Sequence, residues 1–199
     1  MSTSFSNGNV HLVPLKSVGE DELQRLVVAV AGLSLAPGQD DFVGEPAAML
    51  ATALEDTARH PFAIVTAAPP STGVAENAFD GGTVVGLGVL HLGAALEAGW
   101  PNAGGAVLLR GFLIDKNRQG RGYGSGAAVA AVELAQELVR ASGLSATGLV
   151  LSVNERNPAG LAAYLMAKFV DRGQHLGGRS GSQRILYRAF DAETIAHNG

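Results

Sequence analysis

A glycine-rich segment at residues 111–127, GFLIDKNRQGRGYGSGA, constrains the fold of this chain more than any other stretch. The apolar run near its start ends at Asp115 and is typical of the end of a buried strand. A polar turn and four alternating glycines follow, and an alanine- and leucine-rich stretch then continues to Arg140 without a proline, which predicts a helix. This order brings backbone N–H groups close to a ligand at a helix N-terminus and favours an anion. We interpret the segment as a diphosphate-binding loop.

Three ligand-binding motifs compete to explain the glycine spacing. A P-loop requires Lys followed by Ser or Thr after the last glycine, and this sequence has neither there. Gly122, Gly124 and Ala127 fit the dinucleotide fingerprint G-x-G-x-x-A, but that motif turns directly from strand to helix, whereas six polar or glycine residues intervene here. The third pattern is Q-x-x-G-x-G, in which Gln119 precedes the same two glycines. A turn that only begins a helix is disfavoured, because four alternating glycines are conformationally costly without a ligand.

Length and composition narrow the class of protein. The 199 residues, 47% of them hydrophobic, suit one domain with a substantial core. The formal charge of -4 disfavours general binding of nucleic acid or anionic membranes. The absence of cysteine excludes a disulfide scaffold, cysteine-ligated metals and a thiol nucleophile. We find no signal-peptide pattern and no membrane-spanning apolar run, and therefore expect a cytoplasmic domain over residues 1–199, with residues 1–8 disordered.

The remaining sequence predicts the order strand, two helices, three strands, helix, strand, helix and two strands. The predicted strands are residues 10–15, 62–66, 83–92, 106–114, 148–153, 169–175 and 183–190. Helices are predicted from about residue 17 to 31, after Pro46 as far as His60–Pro61, after the glycines to Arg140, and from Asn157–Pro158 to about 167. Residues 67–80 are predicted to form a loop. This pattern indicates a single α/β domain.

A second motif occupies residues 151–170, LSVNERNPAGLAAYLMAKFV. A strand is predicted to end near Asn154, and Asn157 as N-cap with Pro158 in the first position begins the following helix. Tyr164 lies seven residues beyond Asn157, which is about two helical turns, so both are expected on one side of that helix.

The two segments together resemble the acetyl-CoA-binding motifs of the GNAT acetyltransferase superfamily, Q-x-x-G-x-G and N-x-x-A-x-x-L-Y-x-x-x-G-F. In the second motif Asn157, Tyr164 and Phe169 match, whereas Gly160, Ala163 and Lys168 replace the small residue, the leucine and the glycine of the G-F pair. The resemblance implies one α/β (α+β) domain. Its central sheet is mixed, mostly antiparallel and twisted, with about seven strands and about four helices. The strands around 106–114 and 148–153 splay apart.

A closer resemblance extends over nearly the whole chain. Residues 39–44, QDDFVG, are similar to the Q-x-x-F-V-A segment of bacterial spermidine/diamine-type N-acetyltransferases, and residues 61–64 and 112–116 also match. An arginine commonly precedes F-x-I-D in that branch, where this chain has Gly111. The resemblance implies an N-acetyltransferase that transfers the acetyl group of acetyl-CoA directly to a primary amine of a small molecule. A polyamine is the family-level acceptor, no metal is required, and a homodimer is common in the superfamily.

The resemblance also assigns residues to the cofactor. The backbone of residues 112–114 would pair with the pantetheine amides, as an added strand does, and the N–H groups of 119–125 would hold the diphosphate. The implied cofactor-binding residues are Phe112, Leu113, Ile114, Arg118, Gln119, Gly120, Arg121, Gly122, Tyr123, Gly124, Ser125, Asn154 and Asn157. Arg118 and Arg121 either pair with phosphates or are solvated turn arginines. Tyr164 is either the general acid that protonates the CoA thiolate or a packed tyrosine.

The acceptor side is less defined. Asp40, Asp41 and Phe42 are expected to bind the amine, although a solvated acidic loop is the alternative. The general base is not identified, and His91 is either a proton relay or a structural histidine. Because the chain has neither cysteine nor a G-x-S-x-G elbow, we expect direct attack by the amine. A non-catalytic acyl-CoA sensor is the alternative function. Tyr164 favours the enzyme, whereas the unlocated base and Lys168 favour the sensor.

Overall fold

The computed structural model describes residues 5–66, 78–79, 82–176 and 181–191. The helices are α1 (Glu20–Ala31), α2 (Pro46–Glu55), α3 (Tyr123–Ala141) and α4 (Pro158–Met166). The strands are β1 (Phe5–Asn7), β2 (Val10–Pro14), β3 (Arg59–Thr66), β4 (Ala78–Phe79), β5 (Gly82–His91), β6 (Val107–Ile114), β7 (Gly148–Asn154), β8 (Val170–His175) and β9 (Gln183–Ala189). Short 3-10 turns cover Ala95–Ala98 and Lys116–Arg118.

The strands form one mixed sheet in the order β1-β2-β3-β5-β6-β7-β9-β8, and β4 pairs with β5 outside that path. Among the described strands only β6 and β7 are parallel neighbours. The predicted mixed, mostly antiparallel sheet with four helices is therefore confirmed, and the described residues contain nine strands instead of about seven.

The additional strands β1 and β4 correct two sequence predictions. The predicted disorder of residues 1–8 is wrong for residues 5–7, while residues 1–4 lie outside the described part of the chain. A two-residue turn at Gly8–Asn9 pairs β1 with β2, and Phe5 is buried in the core beneath α3. In the predicted loop 67–80, Ala78 and Phe79 pair with β5, and the rest of that loop falls outside the described residues.

Strand β3 also begins earlier than predicted. Helix α2 ends at Glu55, and β3 starts at Arg59, so His60–Pro61 lies inside a strand and does not end the helix. The strand tolerates Pro61 because β2 ends opposite Phe62, so the missing proline N–H breaks no bond of the β2–β3 ladder. The proline carbonyl accepts a hydrogen bond from the Leu15 N–H at 2.9 Å.

Alternation of side chains along the strands gives the sheet two packed faces. Helices α3 and α4 cover one face, with a core that includes Ile64, Leu109 and Leu151. Helices α1 and α2 cover the other face, around residues such as Val65 and Leu113. At the start of β6 and β7, Trp100 stacks on Tyr187 with 4.4 Å between ring centroids. No helix in the described part of the chain is long and apolar enough to cross a membrane.

The sheet opens between β6 and β7. These strands pair at only two positions, Val107 with Leu149 and Leu108 with Val150, and then separate. The predicted splay between the two strands is confirmed. Strand β6 also bulges against β5 near Gly111, where φ is +55°. Because a residue with a side chain is strained at such a φ, the bulge explains why glycine stands at this position.

Candidate functional site

The turn after β6 is fixed by two side chains. The buried Asp115 carboxylate accepts hydrogen bonds from the Asn117 N–H at 2.9 Å and from the Ser34 N–H at 2.8 Å. The Gln119 side-chain amide donates to the Ile114 carbonyl at 3.0 Å. These bonds fold the chain back on the end of β6 and present residues 119–125, which we call the glycine loop, at the N-terminus of α3.

The glycine loop exposes a continuous series of backbone donors. Within the described residues, the seven N–H groups of residues 119–125 have no acceptor, and the first bond of α3 runs from the Gly126 N–H to the Gly122 carbonyl at 3.1 Å. Gly120 and Gly122 have φ of +74° and +79°, and a Cβ at either would meet no atom within 4 Å. The loop backbone therefore faces open space. Unpaired N–H groups at the N-terminus of a 19-residue helix suit a diphosphate.

Two arginines flank these donors. Arg118 and Arg121 form no ion pair with other described residues, and Arg121 is exposed whereas Arg118 is partly buried. Arg118 precedes the loop and lines a separate pocket with Ser34 and Asp115, whereas Arg121 belongs to the loop itself. Their contact with phosphate stays a prediction.

A cleft of about 800 Å³ lies where β6 and β7 separate. Residues 108–112 and 151–154 form its strand walls, residues 40–45 and α2 close a third side, and Asn157 and Tyr164 reach it from the α4 side. The structure therefore brings to one cleft Phe112, Asn154 and Asn157 from the predicted cofactor site, the predicted general acid Tyr164, and Asp40, Asp41 and Phe42 from the predicted acceptor site. The predicted cofactor residues 118–125 do not line it. Leu113 and Ile114 have buried side chains and do not line the cleft. They are the last residues of β6, the strand that leads to the glycine loop.

Tyr164 sits in an aromatic group and faces this cleft. Its ring centroid lies 5.8 Å from those of Phe112 and Phe169, and the residue is 9% exposed. Burial raises the pKa of Tyr164 well above its usual value. The raised pKa keeps its hydroxyl protonated, as a general acid must be. The hydroxyl has no hydrogen-bond partner among the described residues.

Asn157 begins α4 as predicted. Its Oδ1 accepts a hydrogen bond from the Gly160 N–H at 2.9 Å, which confirms the N-cap. A Cβ at Gly160 would lie 2.6 Å from Asn157 Nδ2, so a larger residue there would displace the Asn157 side chain from its capping position. Asn154, buried at the end of β7, accepts from the Arg156 N–H at 2.9 Å. The two caps order the turn beside the cleft.

The C-terminus of α4 accommodates Lys168 in place of the motif glycine. Lys168 has φ +62°, its N–H donates to the Leu165 carbonyl at 3.0 Å, and the Phe169 N–H donates to the Tyr164 carbonyl at 3.0 Å. This is the Schellman pattern that glycine usually closes. The turn into the next strand is therefore retained, at the cost of a left-handed conformation on a residue with a side chain.

The acidic segment before α2 is partly neutralised by its neighbours. Arg156 Nη1 lies 3.8 Å from Asp41 Oδ2, and its guanidinium carbon lies 5.4 Å from the centroid of the Phe42 ring. Glu45 caps α2 by accepting from the Ala48 N–H at 2.9 Å. Asp40 is exposed and pairs with no other described residue. Of these carboxylates, Asp40 is the most available to an acceptor cation.

Sequence reasoning missed a charged pair on the acceptor side. Arg110 Nη1 donates to Glu97 Oε2 at 2.7 Å, and both residues line the cleft. The same Nη1 lies 3.2 Å from His91 Nδ1, and burial followed by the Arg110 charge lowers the pKa of His91. Because guanidinium only donates, His91 Nδ1 accepts. His91 is absent from the cleft lining, which favours its structural role. Glu97 lies in the short 3-10 turn Ala95–Ala98. That segment carries no recognisable motif, so nothing in the sequence gave a reason to select Glu97.

No family model and no curated protein matches the sequence. Solved structures do match the fold. Spermidine N-acetyltransferase from Vibrio cholerae, in complex with CoA and spermine, superposes with a TM-score of 0.57 at 14% identity, covering 92% of this chain and 97% of that one. Aminoglycoside acetyltransferase AAC(6')-Ib with coenzyme A and kanamycin gives 0.57 at 14% identity, covering 90% and 94%. Its complex with paromomycin and acetyl-CoA gives 0.57 at 15%, covering 92% and 94%.

The chain therefore has the fold of the GNAT acetyltransferases over nearly its whole length. A dinucleotide-binding Rossmann domain is built from repeated parallel strand–helix–strand units. The described sheet has one parallel pair of strands, so the dinucleotide interpretation of the glycine loop is excluded. Within the described residues, no group of three or more His, Cys, Asp or Glu side chains is placed to hold a metal ion.

Proposed function

We propose that this protein is an acetyl-CoA-dependent N-acetyltransferase that acts directly on a primary amine of a small molecule. One observation carries the proposal. The seven open N–H groups at the start of α3 follow β6, whose residue Phe112 lines the cleft together with Tyr164. A Cβ at Gly124 would lie 3.9 Å from the Cβ of Ala163, the residue before Tyr164. This proximity supports a diphosphate-binding loop and a proton donor acting in one site.

The residues at the site suit a direct transfer. Residues 119–125 would hold the diphosphate, and the β6 backbone after the bulge at Gly111 would pair with the pantetheine arm. The amine nitrogen forms a bond to the acetyl carbonyl carbon, the carbon–sulfur bond breaks, and the thiolate takes the Tyr164 proton. The amine loses a proton to a base or solvent, and solvent returns a proton to Tyr164, so the proton count closes over the cycle.

We propose that the acceptor is a small cationic amine, and more specifically a polyamine. Asp40 and Asp41 line the cleft and would attract such a cation. Two of the similar structures support amines as a class, since one contains spermine and the other kanamycin. We propose further that the protein acts in the cytoplasm as a homodimer.

A non-catalytic acyl-CoA sensor is the second candidate, and one observation favours it. The carboxylates of Asp41, Glu45 and Glu97 are all engaged with groups of the chain itself. An enzyme acting on a protonated amine needs a base, and a sensor does not.

Thiol release from acetyl-CoA distinguishes the two candidates. The purified chain is assayed against polyamines, amino acids and aminoglycosides, and the enzyme releases CoA with at least one of them. Tight acetyl-CoA binding without release would establish the sensor. Thermal unfolding supplies the ligand control: acetyl-CoA should raise Tm more than NAD or ATP, because a ligand that binds only the native state stabilises it. A larger rise in Tm with NAD than with acetyl-CoA would contradict the assignment of acetyl-CoA as the cofactor.

A further inference from the structure

We propose that Gln39 is a positioning residue that couples the glycine loop to the acceptor side of the cleft. On this view, a diphosphate bound at residues 119–125 orders the α1–α2 loop, which we define as residues 36–45. The inference rests on the proposed function, since it takes the glycine loop as the binding site of CoA. Gln39 does not line the cleft, so it acts through the residues that follow it.

The link starts at Gln119, which belongs to the glycine loop and also contacts Gln39 of the α1–α2 loop. Its backbone N–H is one of the seven open donors of the glycine loop. Its side-chain Nε2 donates to the Ile114 carbonyl at 3.0 Å and to Gln39 Oε1 at 3.1 Å. Both hydrogens of that amide are therefore engaged. A ligand that fixes the Gln119 backbone also fixes the donor on which Gln39 depends.

Gln39 then organises the α1–α2 loop. Its Oε1 accepts a second hydrogen bond from the Ala36 N–H at 3.0 Å, and its own N–H donates to the Ala36 carbonyl at 2.9 Å. Its carbonyl accepts from the N–H groups of Phe42 and Val43, both at 3.0 Å. Phe42 and Val43 line the cleft. Two residues of the cleft wall are thus connected to Gln119 through one side chain.

The two ends of the loop are held unequally. Just before the loop, Ser34 is tied to the end of β6 by bonds of 2.8 Å to Asp115 and 2.9 Å from the Lys116 N–H. At the far end, Arg156 Nη1 lies 3.8 Å from Asp41 Oδ2, and its guanidinium carbon lies 5.4 Å from the centroid of the Phe42 ring. Arg156 therefore contacts side chains of the cleft wall, whereas Gln39 holds the backbone of Phe42 and Val43.

Hydrogen exchange with CoA as the probe tests this coupling, because amide exchange reports local opening. Exchange at Phe42 and Val43 is measured in the full chain with and without saturating CoA, for wild type, Gln39→Leu and Gln39→Glu. Glutamate keeps an oxygen that accepts from Gln119 and Ala36, whereas leucine keeps the size and removes it. Gln136→Leu is the matched control, since it removes another side-chain amide, one that donates to the Asp191 carbonyl at 3.0 Å.

We expect CoA to slow exchange at Phe42 and Val43 by roughly two- to tenfold, the range that one neutral hydrogen bond supplies. The effect should appear in wild type, Gln39→Glu and Gln136→Leu and be lost in Gln39→Leu, while the Kd of CoA agrees within about threefold among all four proteins. Gln39→Ala supplies the same test if the leucine variant does not fold.

Three results would overturn the coupling. They are equal protection in Gln39→Leu, no protection in wild type despite CoA binding, and loss of protection in Gln136→Leu. A wild-type chain that does not bind CoA at all would refute the proposed function, and the inference with it. CoA titration on the same samples separates these cases.

Discussion

The two sides of the cleft are built from different parts of the chain. On the glycine loop, the binding groups are seven backbone N–H groups that have no acceptor within the described residues. On the acceptor side they are charged side chains from separate segments, of which Asp41, Glu97 and Arg110 already contact an opposite charge. One side is a continuous backbone surface and the other a set of side-chain pairs.

This difference determines what each side can select. Backbone donors recognise the charge and shape of a diphosphate without depending on side-chain identity, provided that glycine keeps the backbone accessible. Side-chain pairs can rearrange or be replaced one at a time, so acceptor choice is set by a few exposed charges. Changes on the glycine loop should therefore act on all substrates, and changes on the acceptor side on particular amines.

The largest expected effect is that of Gly122→Val. Gly122 has φ +79° and open space beside it, so valine fits sterically but is strained and projects where the diphosphate would approach. We expect a folded protein with no measurable acetyl-CoA binding by calorimetric titration. Gly143→Val is the control, because Gly143 has φ +63° and equal open space but lies beyond the C-terminus of α3. If both variants bind acetyl-CoA equally, the diphosphate is held elsewhere.

Tyr164→Phe should leave cofactor binding intact and slow the chemistry. The ring packing against Phe112 and Phe169 is kept, and only the proton donor is lost. General acids contribute on the order of 10²–10⁴ in rate, so we expect kcat to fall by at least about tenfold, allowing for water as a substitute donor. Burial raises the pKa of Tyr164. Deprotonation of Tyr164 should therefore not lower kcat at any pH up to the usual pKa of a tyrosine.

The matched control for this variant is Tyr187→Phe. Tyr187, unlike Tyr164, has a partner for its hydroxyl among the described residues, Thr147 at 3.1 Å, and it does not line the cleft. Its kcat should equal that of wild type. A Tyr164→Phe enzyme that turns over at the wild-type rate, measured where chemistry limits kcat, would remove Tyr164 from the mechanism.

The double variant Asp40→Asn with Asp41→Asn tests the acceptor side. We expect a several-fold rise in KM for spermidine, because a close charge pair at a partly solvated site contributes on the order of 1 kcal/mol. KM for acetyl-CoA should stay nearly constant. Arg156 already offsets part of the Asp41 charge, so Asp40→Asn alone should account for most of the change.

Asp21→Asn with Glu22→Gln controls for net charge, since these residues lie in the first turn of α1, and it should leave both KM values unchanged. Equal rises for both substrates in the Asp40 and Asp41 variant would indicate a folding defect and not acceptor binding.

Sequence alone predicted the parts of this molecule whose signals are local. The apolar run that ends β6, the helix that begins after the glycines and the cap at Asn157 each depend on residues close together in the chain, and all three are confirmed at their predicted places. The disorder predicted for residues 1–8 was wrong for residues 5–7. The three residues of β1 are too few to show a strand pattern in the sequence, and their order comes from pairing with β2.

The pairs that shape the acceptor side could not be predicted in this way. Arg110 and Glu97 meet across a sheet and a loop, and Gln39 meets Gln119 across 80 residues of sequence. Such contacts are set by how α1, α2 and β6 pack, and nothing in the neighbouring residues encodes them. The roles of the binding residues therefore stay predictions even where the structure brings the residues together.

The smallest expected effect is that of replacing Lys168, which should change the stability of the protein and not its turnover. Lys168→Gly should relieve the left-handed strain at φ +62°, worth about 1 kcal/mol, and lose part of this to the larger entropy of glycine in the unfolded chain. For a chain of this size we expect a Tm rise of up to about 4 °C. Differential scanning calorimetry measures the change.

Lys168→Ala distinguishes strain from charge, because alanine removes the ammonium and keeps a Cβ at positive φ. If strain is the cause, alanine gives no gain in Tm, whereas equal gains in both variants would assign the effect to the lysine charge. Turnover should not change in either case. The hydrogen bond from the Phe169 N–H holds the Tyr164 carbonyl, and that bond uses no atom of the Lys168 side chain. A loss of kcat in Lys168→Gly would mean that the turn sets the position of Tyr164 more tightly than this bond alone explains.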